Sequence, residues 1–503
     1  GAVQLTSIGG PALGSLDLAL TAAGADAQKE QLAARLRLAG AMLGHRVGTP
    51  ATGPVRLGDV RLTAAQFERL VSEMLREHSG GAAQRAAAPK AKPGGNPAVQ
   101  ASAAPDAAAL EAKPWAVLEG DLGMGAEKVS GASGAVDGPA RQIAVALAAP
   151  TMIVANRFQV WAFNLAGGPP KWTFGLKGQQ GPAHAWPRVP MRPCILHGRV
   201  YVRLLPADSR PQLFCLDLPT GQLVWKSQCA GSVVSDPLPA ADRIVALTGE
   251  AAEAQGASRL RLAALDPRTG EVLESSPVVE LRQQWLRRRC CQATLAGETI
   301  VAVAGGTTLC CDLMGRVRWI RQNAWLPTEL DPDGGRQRYG PPLVAHGRVF
   351  LTQPGVQSIE CVELHSGRLI WLRVVPGTVG LLEVAAGKLL VETAEEIVAL
   401  AADTGAVLWQ HDTPDRLDGW LPAGPGGFVY TCLWPVGKKD LCPVLVWCDV
   451  ETGRPTARWP LEALAGKGPL LGPLVAYRGR TWAFAGRTVT RAKAPVQREI
   501  VEL

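Results

Sequence analysis

The chain has 503 residues, 47% of them hydrophobic and 19% charged, which is enough for a large buried core and excludes a mostly unfolded polymer. The formal net charge is +8, which suits acidic partners or anionic polymers, or simply a solvated basic surface. No run of roughly 18 or more apolar residues occurs, which excludes a membrane-spanning helix.

Aromatic residues are few, but 15 of the 27 are Trp. The 11 cysteines are an odd number, so at least one is unpaired within the chain. The chain opens Gly1-Ala2-Val3 rather than on a methionine and reads as a processed form or a fragment.

Residues 1–80 read as a small helical module. In the stretch 26–43, Leu32, Leu36, Ala39 and Leu43 share one helical face. Residues 55–62 read as a short hairpin about Gly58-Asp59. Thr63-Ala-Ala-Gln66 is a capping box opening a helix whose apolar side is Phe67, Leu70, Val71, Met74 and Leu75. Residues 81–113 are Ala, Pro, Gly, Lys and Gln with almost no large apolar side chain, and read as a flexible linker. From 114 to 503 the composition is that of one β-rich domain.

That domain repeats one pattern. Ala162 to Trp172 carries Asn164, Gly168 and Trp172. Cys215 to Trp225 carries Asp217, Thr220, Gly221 and Trp225. Ala264 to Glu274 holds Asp266, Thr269 and Gly270, with Glu274 where Trp is expected. Cys311 to Trp319, with Asp312 and Gly315, is one residue shorter. Gly367 with Trp371 and Gly405 with Trp409 follow. Gly453 comes last, with Trp459 two places late. Each copy reads as strand, Gly turn, strand. The glycine supplies positive φ and the Asp side chain accepts from turn amides.

Two further strand signals precede each copy, for example Cys194–Val202 about Gly198, then Leu213-Phe-Cys215. The turn glycines lie 38 to 53 residues apart. Such a period on four-stranded units predicts a β-propeller. A last unit over 474–503 lacks the Thr-Gly hairpin, so seven copies plus this one predict eight four-stranded antiparallel blades, preceded by the helical module. Trp115–Glu119 and Glu499–Leu503 compete for the outer strand of the last blade. Trp172, Trp225, Trp319, Trp371, Trp409 and Trp459 are expected to pack between blades.

These repeats resemble the PQQ-like β-propeller family, over roughly residues 141–503. That family includes the quinoprotein alcohol dehydrogenases and the lipoprotein of the bacterial outer-membrane assembly machine. The resemblance implies a bacterial envelope, periplasmic or extracellular setting within a larger assembly. In the dehydrogenases a vicinal disulfide covers the quinone and a Ca²⁺ held by Glu, Asn and Asp polarises it. Two vicinal pairs occur here, Cys290-Cys291 and Cys310-Cys311, but no matching Ca²⁺ ligand set or catalytic Asp accompanies them. Zinc is disfavoured, because adjacent strand residues point to opposite faces. His197 and His346 sit at equivalent turns and read as repeat features. GxSxG, HExxH and Walker patterns are absent.

The densest basic patch holds Arg282, Arg287, Arg288 and Arg289, with Arg316, Arg318 and Arg321, then Arg336 and Arg338. A solvated rim with cation–π packing on Trp285 and Trp319 would account for it. The functional expectation is that Arg287, Arg288, Arg289, Arg336 and Arg338 dock a protein partner with acidic segments. Nucleic acid is not expected, since no recognition motif accompanies the charge. The chain is expected to be a non-catalytic scaffold with no cofactor or metal. The alternatives are the sensor ectodomain of a receptor-like bacterial kinase and a quinoprotein dehydrogenase.

Overall fold

The computed structural model describes residues 37, 50, 51, 53–57, 60–72, 113–118, 144–156, 159–176, 192–206, 210–251, 257–281, 291–304, 307–322, 341–353, 358–413, 417, 419–422, 427–436, 440–461, 474–477, 480–486 and 498–502. The linker assigned to 81–113 lies outside them, apart from Lys113, as do most of residues 1–49. Within the N-terminal part, Val55–Leu57 pairs antiparallel with Val60–Leu62. A helix follows over 64–72. Its start is a capping box. The Gln66 amide donates to Thr63 Oγ1 at 3.2 Å, and the Thr63 amide donates to Gln66 Oε1 at 2.9 Å. Phe67 and Val71 are buried one turn apart, and Arg37 forms an ion pair with Glu68 while its guanidinium lies over the Phe67 ring.

Most of the described residues form antiparallel sheets whose strands follow one another in the chain. Seven such blades cover 144–175, 194–226, 232–281, 292–322, 343–374, 378–412 and 419–460, numbered here 1 to 7. The strands of each are called A to D from the inner edge outwards. Six shared apolar cores join the seven blades in order: 1 to 2, 2 to 3, 3 to 4, 4 to 5, 5 to 6 and 6 to 7. The alternation of a strand is what makes this possible. Cys311 packs between blades 3 and 4 and its neighbour Cys310 between blades 4 and 5.

The expectation of eight four-stranded blades is corrected: the propeller is seven-bladed. The last unit is of a different kind, because it has no Thr-Gly hairpin to make its own fourth strand. Val475–Tyr477, Arg480–Gly486 and Arg498–Glu502 pair in order, and Lys113–Leu118 adds to the outer edge beside Arg498–Glu502. This composite sheet joins the chain ahead of blade 1 to the chain after blade 7. Blade 3 also departs from the four-stranded pattern. Both Ser232–Val233 and Leu238–Ala240 pair with Arg243–Ala251, giving five strands.

Candidate functional site

The C–D hairpin of each blade is built from local hydrogen bonds. In blade 2, Asp217 Oδ2 accepts from the Thr220 amide at 3.1 Å and from its hydroxyl at 2.6 Å. The Gly221 amide closes the loop on the Asp217 carbonyl at 2.8 Å, with Gly221 at φ 70°. Blade 7 repeats this with Asp449, Thr452 and Gly453. In the shortened hairpin of blade 4, Gly315 closes instead on Asp312, three residues back.

Five of the seven turns then receive a Trp from the preceding blade. A Cβ on Gly221 would stand 2.3 Å from the Trp172 ring, and one on Gly405 would stand 2.7 Å from that of Trp371. Gly270, Gly367 and Gly453 meet Trp225, Trp319 and Trp409 in the same way. The indole N–H of each ring donates to the carbonyl three residues before the glycine. Trp172 reaches Leu218 at 2.8 Å, Trp225 Pro267 at 3.1 Å, Trp319 Leu364 at 2.8 Å, Trp371 Ala402 at 3.1 Å and Trp409 Val450 at 3.0 Å. An aromatic body and its one polar atom are thus both satisfied at the seam.

Two seams differ. At blades 3 and 4, Glu274 occupies the Trp position, opposite Ala264, and accepts from the Ser276 hydroxyl. Gly315 there approaches Ser276 instead of a ring. In blade 7 the equivalent position, opposite Trp447, is Ala457. Trp459 lies two residues on, buried, and its indole N–H has no hydrogen-bond partner among the described residues. Gly168 has φ 104° and open space beside it.

The antiparallel path gives the ring two unlike faces. A–B and C–D turns lie on one, tight and glycine-bearing. His197 and His346 sit in these A–B turns at φ 49° and 51°, each followed by a Gly. B–C loops and D–A connections lie on the other face. In sequence, Arg287, Arg288 and Arg289 fall between Leu281 and Cys291, and Arg336 and Arg338 between Gln322 and residue 341. All five lie outside the described residues, as do Cys290 and Trp285.

Arg316 and Arg318, by contrast, are described and exposed on the outer part of blade 4. Arg318 meets His365 Nδ1 at 3.0 Å. Arg321 turns to blade 5, donating to the Gly367 carbonyl and to Glu360, each at 3.1 Å. A more deeply buried charge pairs as well. Arg203, 1% exposed, lies 3.3 Å from Asp236, whose carboxyl is pushed up by burial and pulled back by the guanidinium.

Burial pushes the Cys215, Cys310 and Cys361 thiols up to about 11 and that of Cys311 to about 12. At neutral pH these thiols are protonated packing groups rather than nucleophiles. Among the described residues, no three His, Cys, Asp or Glu side chains gather as a metal site. No helix among them is long and apolar enough to cross a membrane.

The sequence did not disclose one buried pair. His411, on strand D of blade 6, holds its Nε2 2.6 Å from the Tyr430 hydroxyl on strand B of blade 7. The His411 Nδ1 is buried without a partner among the described residues. Burial, reinforced by Arg458, lowers its pKa to about 4. Histidine two places after a seam Trp carries no local signal of this contact, because Tyr430 is 19 residues away on another blade.

The architecture is that of a PQQ-like propeller. The family model of the outer membrane protein assembly factor BamB matches residues 156–411, just over half of the chain, and the chain belongs to that family. Among solved structures, BamB from Moraxella catarrhalis is 16% identical, with 72% of this chain and 94% of that one covered, at a TM-score of 0.44. The quinohemoprotein alcohol dehydrogenase ADHIIG from Pseudomonas putida HK5 is 12% identical, with 78% and 76% covered, at a TM-score of 0.50. That from Comamonas testosteroni is 12% identical, with 71% and 74% covered, at 0.47. The likeness to the Pseudomonas enzyme is one of fold alone. Among curated proteins, none matches the chain in sequence.

Proposed function

We propose that this protein is a non-catalytic scaffold that presents its propeller to a protein partner in a bacterial envelope assembly. The observation that carries this reading is the match of residues 156–411 to an outer-membrane assembly factor family. The chemistry of the described thiols supports it: they are raised by burial and committed to seams between blades. On this reading the D–A connections carry the contact. Arg287, Arg288, Arg289, Arg336 and Arg338 attract an acidic segment of the partner, with an affinity that falls as salt screens the charges.

The test is purification of the full chain from its native envelope, with and without Ala at these five arginines. A stoichiometric complex that the substitutions and high salt both weaken supports the reading. On this reading each substitution should leave stability within about 0.5 kcal/mol, as at an exposed site. Titration with PQQ and Ca²⁺, followed by an alcohol-dependent dye-reduction assay, is the opposing measurement. Tight quinone binding with turnover overturns the scaffold reading.

A further inference from the structure

Strand D of blade 4, Val317–Gln322, is the last strand of its sheet. One edge pairs with Thr307–Asp312, and no described strand covers the other. Of the eight large apolar residues exposed in the described structure, three lie in this hairpin: Met314 at 42%, Val317 at 37% and Ile320 at 47%. They alternate with Arg316 and Arg318, both exposed, and the segment 313–322 contains no carboxylate.

Several of the other outer strands are defended. That of blade 3 contains Pro277 with Glu274 and Glu280, that of blade 7 begins and ends in Pro455 and Pro460, and those of blades 1 and 2 have only four residues. Proline, acid and short length all hinder strand addition. Blades 4 and 5 have none of these devices; blade 4 is set apart by its exposed Arg316 and Arg318, which select against a basic strand while favouring an acidic one.

The free backbone groups follow from the ladder. In blade 2 the amide two residues after Trp225, that of Ser227, donates to the Leu213 carbonyl inside the sheet. By the same alternation Trp319 and Arg321 point their N–H and C=O groups inward in blade 4, while Ile320 and Gln322 point theirs outward; Arg318 is the extra residue of the bulge between the Cys310 and Cys311 pairs.

We infer that the outer edge of blade 4 receives an extended segment of a protein partner, alternating apolar and acidic residues, by antiparallel or parallel strand addition. Main-chain bonds to Ile320 and Gln322 supply the pairing. Val317 and Ile320 supply apolar contact, and Arg316 and Arg318 meet the acidic side chains. The inference rests on the scaffold reading and gives it a partner chemistry, at a place separate from the D–A connections.

The probe is a fluorescent eight-residue peptide of alternating valine and glutamate, titrated into the full chain and followed by anisotropy. Its counterpart has lysine for glutamate. The acidic probe should bind and slow hydrogen exchange at the amides of Ile320 and Gln322, while the basic one should not bind. The double variant Arg316→Glu/Arg318→Glu, which replaces two attractions by two repulsions, should weaken the acidic probe roughly tenfold and admit the basic one. Ile320→Pro removes an outward N–H and should abolish exchange protection. Circular dichroism shows whether each variant is folded, and the charge-reversal variant alone suffices if the proline variant is not.

The inference is overturned if the acidic probe binds no better than the basic one, or if binding leaves exchange along 318–322 unchanged. In that event the envelope complex and the quinone assay still judge the scaffold reading separately.

Discussion

Replacing Gly405 by Ala should separate the contribution of a seam from that of a turn. Gly405 has φ 70°, and so does the hairpin glycine Gly387 nearby, at 72°. A Cβ at Gly387 meets nothing within 4 Å, whereas one at Gly405 stands 2.7 Å from two carbons of the Trp371 ring. Both substitutions place an L side chain in the left-handed region, at about 1 kcal/mol. Gly405→Ala must also displace an indole that cannot easily withdraw. Trp371 is 8% exposed, tied to the Ala402 carbonyl at 3.1 Å, and packed in the core between blades 5 and 6. Overpacking of a filled core adds about 1–3 kcal/mol. Gly387→Ala should therefore cost about 1 kcal/mol and Gly405→Ala roughly 2–4 kcal/mol. Urea unfolding followed by Trp fluorescence, with equal slopes for the compared variants, measures the difference. Equal losses at the two sites would mean that the ring yields freely, and the account of the seams would be wrong.

Trp225→Ala removes a buried ring and its bond to Pro267, and should cost about 3–5 kcal/mol in the same assay; a loss under about 1 kcal/mol would contradict a packed seam. His411 has a folded pKa lowered to about 4 by burial, below its ordinary 6.5, so the unfolded chain binds the extra proton. Stability should fall as pH drops from about 6.5 to 4, by up to about 3 kcal/mol from this group, and His411→Phe should flatten that part of the profile. Cys215, Cys310, Cys311 and Cys361 should stay inert to a thiol reagent in the native protein and react on unfolding, since burial holds them protonated. Fast labelling of any of these four in the folded state would count against their placement in the seams.

Local information was enough for much of this protein. Turn chemistry is written in neighbouring residues, so the hairpins at Gly221, Gly270, Gly367 and Gly453, the capping box of Thr63 and Gln66, and the pairing of Val55–Leu57 with Val60–Leu62 were legible before any tertiary contact was known. The repeat period likewise implied four-stranded units, because a strand, a turn and a second strand need only adjacent sequence.

The number of blades was not legible, because a unit counts as a blade only when it completes its own sheet and docks on its neighbour. The final unit shows strand signals like the others, yet its outer strand comes from Lys113–Leu118, several hundred residues away. The shift of Trp459 by two places looked minor in sequence. In a strand two places keep the same face but move the ring about 7 Å along it, which takes the indole from the seam position held by Ala457. The meeting of His411 with Tyr430, and the exposure of Ile320 beside Arg318, also depended on which strands became neighbours and which edge stayed uncovered. Periodicity determines what a strand can bury; only the closed arrangement of blades decides which of its groups are buried, bonded or left open to a partner.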